Sequence, residues 1–99
     1  MSRLVVVAPL KEGMHERASA LIAEGPPFEP AGTELSAHQV YLTDREVVFV
    51  FEGTEARAAV EQLAGDPGVW RSATSWRAIL AARPRLAEQA FAWSRAEPG

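Results

Sequence analysis

Three of the side chains in residues 38–52 lie on predicted strands where they could hold or transfer a proton for catalysis. His38 could act as a general base, because an imidazole titrates near neutral pH. Tyr41 could donate a hydrogen bond to a substrate oxygen, and a buried Glu52 would have a raised pKa and could take or give a proton. The structural alternatives are a strand-end histidine bonded to the backbone and a glutamate that is solvated or paired with an arginine. His38, Tyr41 and Glu52 are the predicted catalytic residues.

A second pair, Trp70 and Arg77, lies on one flank of a predicted helix and could bind a ligand. Seven positions are close to two helical turns, so the indole and the guanidinium are neighbours. Such a pair could form the floor of a pocket for an aromatic anion, or it could anchor a dimer, because both residue types are enriched at interface centres. Residues 67–96 hold five arginines and one acidic side chain, which indicates either a solvated face or an anion-binding mouth built from Arg71, Arg77 or Arg83.

Several other chemistries lack the residues that they need. Cysteine is absent, which excludes disulfides, thiolate catalysis and cysteine-based metal sites. The two histidines, His15 and His38, show no metal-ligand pattern, and the glycines match neither the dinucleotide-binding nor the P-loop spacing. The net charge of −3 argues against nucleic-acid binding. We therefore expect no metal, no cofactor and no nucleic-acid partner.

The length and hydropathy of the chain indicate one domain, residues 1–99, in a soluble protein. The longest apolar run, residues 4–9, is far shorter than the roughly 18 residues that a membrane span requires. The same run lacks the basic region and cleavage site of a signal peptide. No membrane contact and a cytoplasmic location are expected.

The elements that must position these side chains follow from apolar periodicity and from Gly and Pro. In the first half, Phe28 should pin a Gly- and Pro-rich loop to the body of the protein. The predicted elements of that half are a strand over 3–8, a helix over 12–24, a loop over 25–34 and two strands over 37–42 and 47–52. A turn centred on Asp44 and Arg45 pairs Leu42 with Val47, Val40 with Phe49, and His38 with Phe51. Both faces of this hairpin are largely apolar.

The second half begins with a helix that Thr54 caps and Gly65 ends. Asp66 and Pro67 start another helix, which should continue to Pro84 with Trp76 in its buried stripe. Residues 86–93 have helical propensity, yet alternation can place their side chains on one face of a strand with Trp93 in the core. A strand–helix–strand unit followed by a second strand–helix–strand unit needs a fourth strand, and residues 86–93 must supply it. This order favours the strand.

This order predicts an α+β, ferredoxin-like split βαβ unit with a four-stranded antiparallel sheet. Its two helices cover one face of the sheet, and the other face would leave a large apolar patch in water. A second copy packed sheet to sheet is the simplest cover, so we expect a homodimer.

The element order, the hairpin "HQVYLTDREVVFVFEG", the tryptophan-bearing helix and the closing "AFAWSR" resemble the dimeric α/β-barrel superfamily. That superfamily includes antibiotic-biosynthesis monooxygenase-like and polyketide-cyclase-like proteins. The resemblance implies a dimeric α/β barrel. Its cofactor-independent monooxygenases polarise a carbanion-forming substrate with Asn, Trp, Arg and Tyr, whereas this chain contains no asparagine. Its haem-degrading members use a histidine from the later helical region, where neither His15 nor His38 lies.

Two functional hypotheses follow. The first is a small-molecule site that binds or transforms an aromatic or polyketide-like carbonyl compound without metal or nucleotide, through His38, Tyr41, Glu52, Trp70 and Arg77. The second is a non-catalytic structural or regulatory homodimer with a sealed apolar core. A cavity between sheet and helices, with two or more of these polar groups on its wall, would favour the first.

Overall fold

The computed structural model describes residues 2–95, in which four strands and four helices follow one another along the chain. A short 3-10 turn at Pro30–Gly32 precedes the second strand. The elements are β1 (Ser2–Pro9), α1 (His15–Glu24), β2 (Leu35–Leu42), β3 (Glu46–Gly53), α2 (Ala56–Ala64), α3 (Pro67–Ser72), α4 (Thr74–Ile79) and β4 (Arg85–Ala87). None of the helices formed by these residues has the length and apolar character that a membrane crossing requires.

The strands form one antiparallel sheet in the order β2-β3-β1-β4. This order is that of a split βαβ unit, because β1 and β2 flank β3 and are joined by α1. The predicted hairpin register is confirmed, with Leu42 opposite Val47 and His38 opposite Phe51. The protein therefore has the α+β, ferredoxin-like fold that the sequence indicates.

The hydrophobic core lies on one face of the sheet, beneath the helices. Its buried members are Ala8, Leu10, Ala18, Leu21, Val47, Trp76 and Ile79. The ring of Trp76, 9% exposed, meets Phe49 edge to face with 5.4 Å between ring centroids. Trp76 is thus a core residue, as predicted, and its helix is held against β3.

Two helices, α1 and α2, begin later in the chain than the sequence predicts. Gly13 has a positive φ of 77°, which ends any helix over residues 11–13, so α1 begins at His15. The α2 helix begins at Ala56, whose amide donates to the Ser2 hydroxyl at 3.0 Å. Ser2, and not Thr54, therefore satisfies an amide at the start of α2.

The predicted helix from Asp66 to Pro84 is divided and shorter. Asp66 caps its start by accepting from the Gly68 amide at 2.8 Å, as expected, and Ala73 separates α3 from α4. After Ile79 the chain is extended, and Leu80 forms a bridge with Leu10. The helix ends there because its last carbonyls bond to the segment that follows β1: Lys11 donates from its amide to Ile79 and from its ammonium to Ala78.

The last strand occupies the predicted place beside β1 but is much shorter than the predicted span of 86–93. Only residues 85–87 pair with β1, and residues 88–95 form no regular structure. The side chains of Phe91 and Trp93 are 83% and 69% exposed, so the prediction that Trp93 is a core residue is wrong for the single chain. Glu88, Gln89 and Ala90 follow the paired residues, and a run of low β-propensity at a sheet edge is poorly held in a strand.

Candidate functional site

A cavity of about 460 Å³ lies between the helix-covered face of the sheet and the helices. This volume falls within the roughly 300–1,000 Å³ of small-molecule sites. Its wall is almost entirely apolar and rich in aromatic rings. The lining residues are Ile22, Gly25, Pro26, Pro27, Phe28, His38, Val40, Phe49, Phe51, Val60, Leu63, Ala64, Val69, Trp70, Ala73, Trp76, Arg77, Leu80 and Pro84.

His38 is the titratable side chain on the sheet wall of this cavity. The imidazole stacks on Phe51, with ring centroids 4.6 Å apart, and lies 5.4 Å from the ring of Phe28. Its Nδ1 is 2.9 Å from the carbonyl oxygen of Val50. A carbonyl only accepts hydrogen bonds, so Nδ1 carries the proton, and in the neutral ring Nε2 holds a lone pair.

The surroundings of His38 favour the neutral imidazole. Burial among apolar groups lowers the pKa of His38 from its usual value, and the hydrogen bond to the Val50 carbonyl opposes this effect less strongly. Near neutral pH the ring is therefore uncharged, and Nε2 is available as a proton acceptor. The alternative in which His38 bonds to the backbone is also observed, and the bond it makes fixes the tautomer that a base requires.

The loop after α1 forms another part of the wall. Phe28 is pinned as predicted, since its ring packs against those of His38 and Phe51. Gly25 has a positive φ of 95°, which turns the chain out of the helix, and Pro26 and Pro27 follow it along the cavity. Sequence reasoning placed this loop correctly but assigned it no role at a site. The sequence signal that could have indicated such a role is the proline pair followed by an aromatic residue.

Trp70 and Arg77 come together on the helical wall, although Trp70 lies on α3 and Arg77 on α4 and not on the single helix that was predicted. The Trp70 indole N–H donates to the carbonyl of Ala64 at the end of α2, which fixes the ring. The guanidinium of Arg77 lies over that ring, with Cζ 5.4 Å from its centroid. Both side chains are exposed and line the cavity, so they form part of its rim.

Tyr41 and Glu52 lie on the opposite face of the sheet and do not line the cavity. Tyr41 is 58% exposed. Glu52 accepts from Gln39 at 3.1 Å and from Nε of Arg3 at 2.8 Å. These hydrogen bonds, from Gln39 and then Arg3, lower the pKa of Glu52, the reverse of the expected rise. Glu52 therefore has the structural role of an ion-paired strand-end carboxylate.

The site thus combines one neutral base, one cationic rim and an aromatic interior. His38, Trp70 and Arg77 of the five predicted residues share it, and the rings of Phe28, Phe49 and Phe51 complete it. Within residues 2–95, His, Asp and Glu side chains do not gather in the groups of three or more that could hold a metal ion. The arrangement can enclose a flat molecule and accept a proton from it.

No protein-family model matches the chain, and no curated protein matches it. Among solved structures, the chain is similar to a crystal structure from Chloroflexus aurantiacus J-10-fl that carries the provisional name antibiotic biosynthesis monooxygenase. The two are 15% identical, with a TM-score of 0.49, and the alignment covers 94% of this chain and 98% of that chain. The assignment of the ferredoxin-like fold rests on the strand order and pairing of the chain itself.

Proposed function

We propose that the cavity binds a small planar carbonyl compound of aromatic character and that His38 accepts a proton from it. The observation that carries this proposal is the imidazole of His38 on the wall of a cavity of about 460 Å³, bonded to the Val50 carbonyl and packed against the rings of Phe28 and Phe51. An apolar wall with a few polar groups is typical of small-molecule sites.

The chemistry is acid–base. A C–H bond next to the carbonyl group breaks, its electron pair moves into an enolate, and the proton passes to Nε2 of His38. The imidazolium then returns the proton to carbon or to the enolate oxygen, so the sequence is balanced and consumes no oxidant. A lowered pKa keeps His38 unprotonated at neutral pH, so Nε2 can accept a proton from the bound molecule.

The competing hypothesis is a non-catalytic homodimer with a sealed apolar core. An open cavity with His38, Trp70 and Arg77 on its wall favours the small-molecule site instead. In an intermediate case, the protein binds such a molecule without transforming it. Measuring hydrogen exchange of the bound molecule in D₂O distinguishes this case from catalysis.

The test uses 2-tetralone, a two-ring ketone with acidic C–H bonds beside its carbonyl. We expect the protein to accelerate exchange of these hydrogens in D₂O, followed by NMR, and His38→Gln to bind 2-tetralone but lose the acceleration. His15→Gln is the matched control, because His15 is exposed at the start of α1 and outside the cavity. Binding without acceleration by the unmodified chain would leave only a binding role, and absence of binding would refute the proposal.

We also propose that the functional unit is a homodimer whose sheets pack face to face. The sheet face away from the core carries Val5, Val7, Val48 and Val50 with the exposed Tyr41 at one side. The charged residues of this face are two basic and two acidic, namely Arg3, Arg85, Glu46 and Glu52. A second copy therefore meets an apolar centre and a balanced charge pattern, without net like-charge repulsion.

A further inference from the structure

Arg77 gives the cavity its charge. Of the lining residues that the structure describes, Arg77 is the one with a formal charge when His38 is neutral, and no acidic side chain lies among them. Within residues 2–95 no carboxylate forms an ion pair with Arg77. A single uncompensated cation on an apolar wall attracts an anion more strongly than it would in open water.

Among residues 2–95, no acceptor takes a hydrogen bond from the guanidinium of Arg77. The guanidinium contacts the face of Trp70, and a cation–π contact uses none of the N–H groups. The indole is itself held through its N–H by the Ala64 carbonyl, so the platform beneath Arg77 is fixed. A planar fork of donors on a fixed platform suits bidentate recognition of a carboxylate.

We propose that the ligand of this cavity is an aromatic carboxylate, with its ring system among the phenyl rings and its carboxylate on Arg77 at the rim. This inference rests on the proposed small-molecule site and adds the charge and orientation of the ligand. The sheet wall carries His38 and the helical wall carries Arg77, so a ligand anchored by its carboxylate presents its ring system, and not its acid group, to the imidazole.

The experiment compares two probes of one shape, 2-naphthoate and neutral 2-naphthamide, by isothermal titration calorimetry on the full chain. Charge-assisted hydrogen bonds are stronger than neutral ones, so we expect 2-naphthoate to bind about tenfold or more tightly than 2-naphthamide. Arg77→Gln should abolish that preference, by weakening the binding of 2-naphthoate much more than that of 2-naphthamide. Arg77→Lys should retain part of it, because the charge remains and the fork is lost.

Arg71→Gln is the matched control, since Arg71 is exposed on α3 and does not line the cavity. This variant should keep the preference for 2-naphthoate, and raised salt should weaken the preference in both proteins. Equal binding of the two probes by the unmodified chain, or an undiminished preference in Arg77→Gln, would overturn the carboxylate assignment and leave the small-molecule site standing. Binding of neither probe would overturn both.

Discussion

At the scale of single residues, His38 makes the stability of the fold depend on pH. Its pKa in the folded chain is below the usual value of 6.5, so the unfolded chain binds this proton more readily. Stability falls wherever the unfolded state takes up more protons as the pH decreases. The contribution of His38 is therefore complete above pH 6.5 and is lost as the pH falls through the lowered pKa.

We expect the urea midpoint of the unmodified protein to fall between pH 7 and pH 5.5, and His38→Gln to remove much of that fall. Glu52 also loses its stabilising contribution on acidification, but its lowered pKa lies below the usual value of 4.5, outside this range. His15→Gln, at an exposed position, should leave the slope unchanged. An identical slope in His38→Gln would show that the histidine is not held neutral by the fold.

The sequence predicted the strand position and pairing partner of His38 correctly, because alternation and turn spacing fix the register of a hairpin. It could not tell which face of the hairpin the helices cover. Val40 and Phe49 on one face are as apolar as Val48 and Val50 on the other, so periodicity alone treats the faces alike. For that reason Tyr41 and His38 were both candidates. In the structure the helices cover the face that carries His38.

At the scale of elements, the pairing between the start of β2 and the end of β3 depends on Gly53. The register of the pair is irregular between Leu35 and Ala37, and the backbone there passes close to Gly53. A Cβ atom at position 53 would lie 3.0 Å from the carbonyl oxygen of Glu34 and 3.3 Å from Cα of Leu35. Both neighbours are backbone atoms, so one of the strands would have to move.

Gly53→Ala should therefore lower the free energy of unfolding by about 1–3 kcal/mol, as overpacking commonly does. Urea unfolding at constant m-value measures the change. Gly32→Ala is the control, because no atom lies within 4 Å of a Cβ built at Gly32. Its stability should stay the same or rise slightly through the smaller entropy of the unfolded chain. Equal effects of the two substitutions would contradict the close approach at Gly53.

The ends of elements were harder to predict than their existence. Asp66 was a reliable helix start, since its side chain bonds to a nearby amide of its own helix. The start of α2 and the end of α4 depend instead on Ser2 and Lys11, which are remote in sequence. No local signal in residues 54–56 or 79–84 encodes those partners.

At the scale of the whole molecule, the sheet has one face beneath the helices, and on its other face exposure ranges from 8% at Val50 to 58% at Tyr41. The strand order follows from the repeated strand, helix, strand pattern, so the fold itself was predictable. The exposed aromatic side chains of Phe91 and Trp93, in the segment beyond β4, add to the apolar surface that the single chain leaves in water. Surface of this kind is typical of an interaction site.

We therefore expect sedimentation at micromolar concentration to give about twice 10.7 kDa. Tyr41→Lys should shift the protein toward the monomer, because an ammonium group at the side of the packed sheets would lose part of its hydration on association. Tyr41 is 58% exposed in the single chain, so this substitution should leave the far-UV circular dichroism of the fold unchanged. Ala20→Lys places the same charge on the exposed side of α1 and should remain dimeric. A monomer at micromolar concentration in the unmodified protein, or a Tyr41→Lys variant as dimeric as Ala20→Lys, would contradict packing through this sheet face.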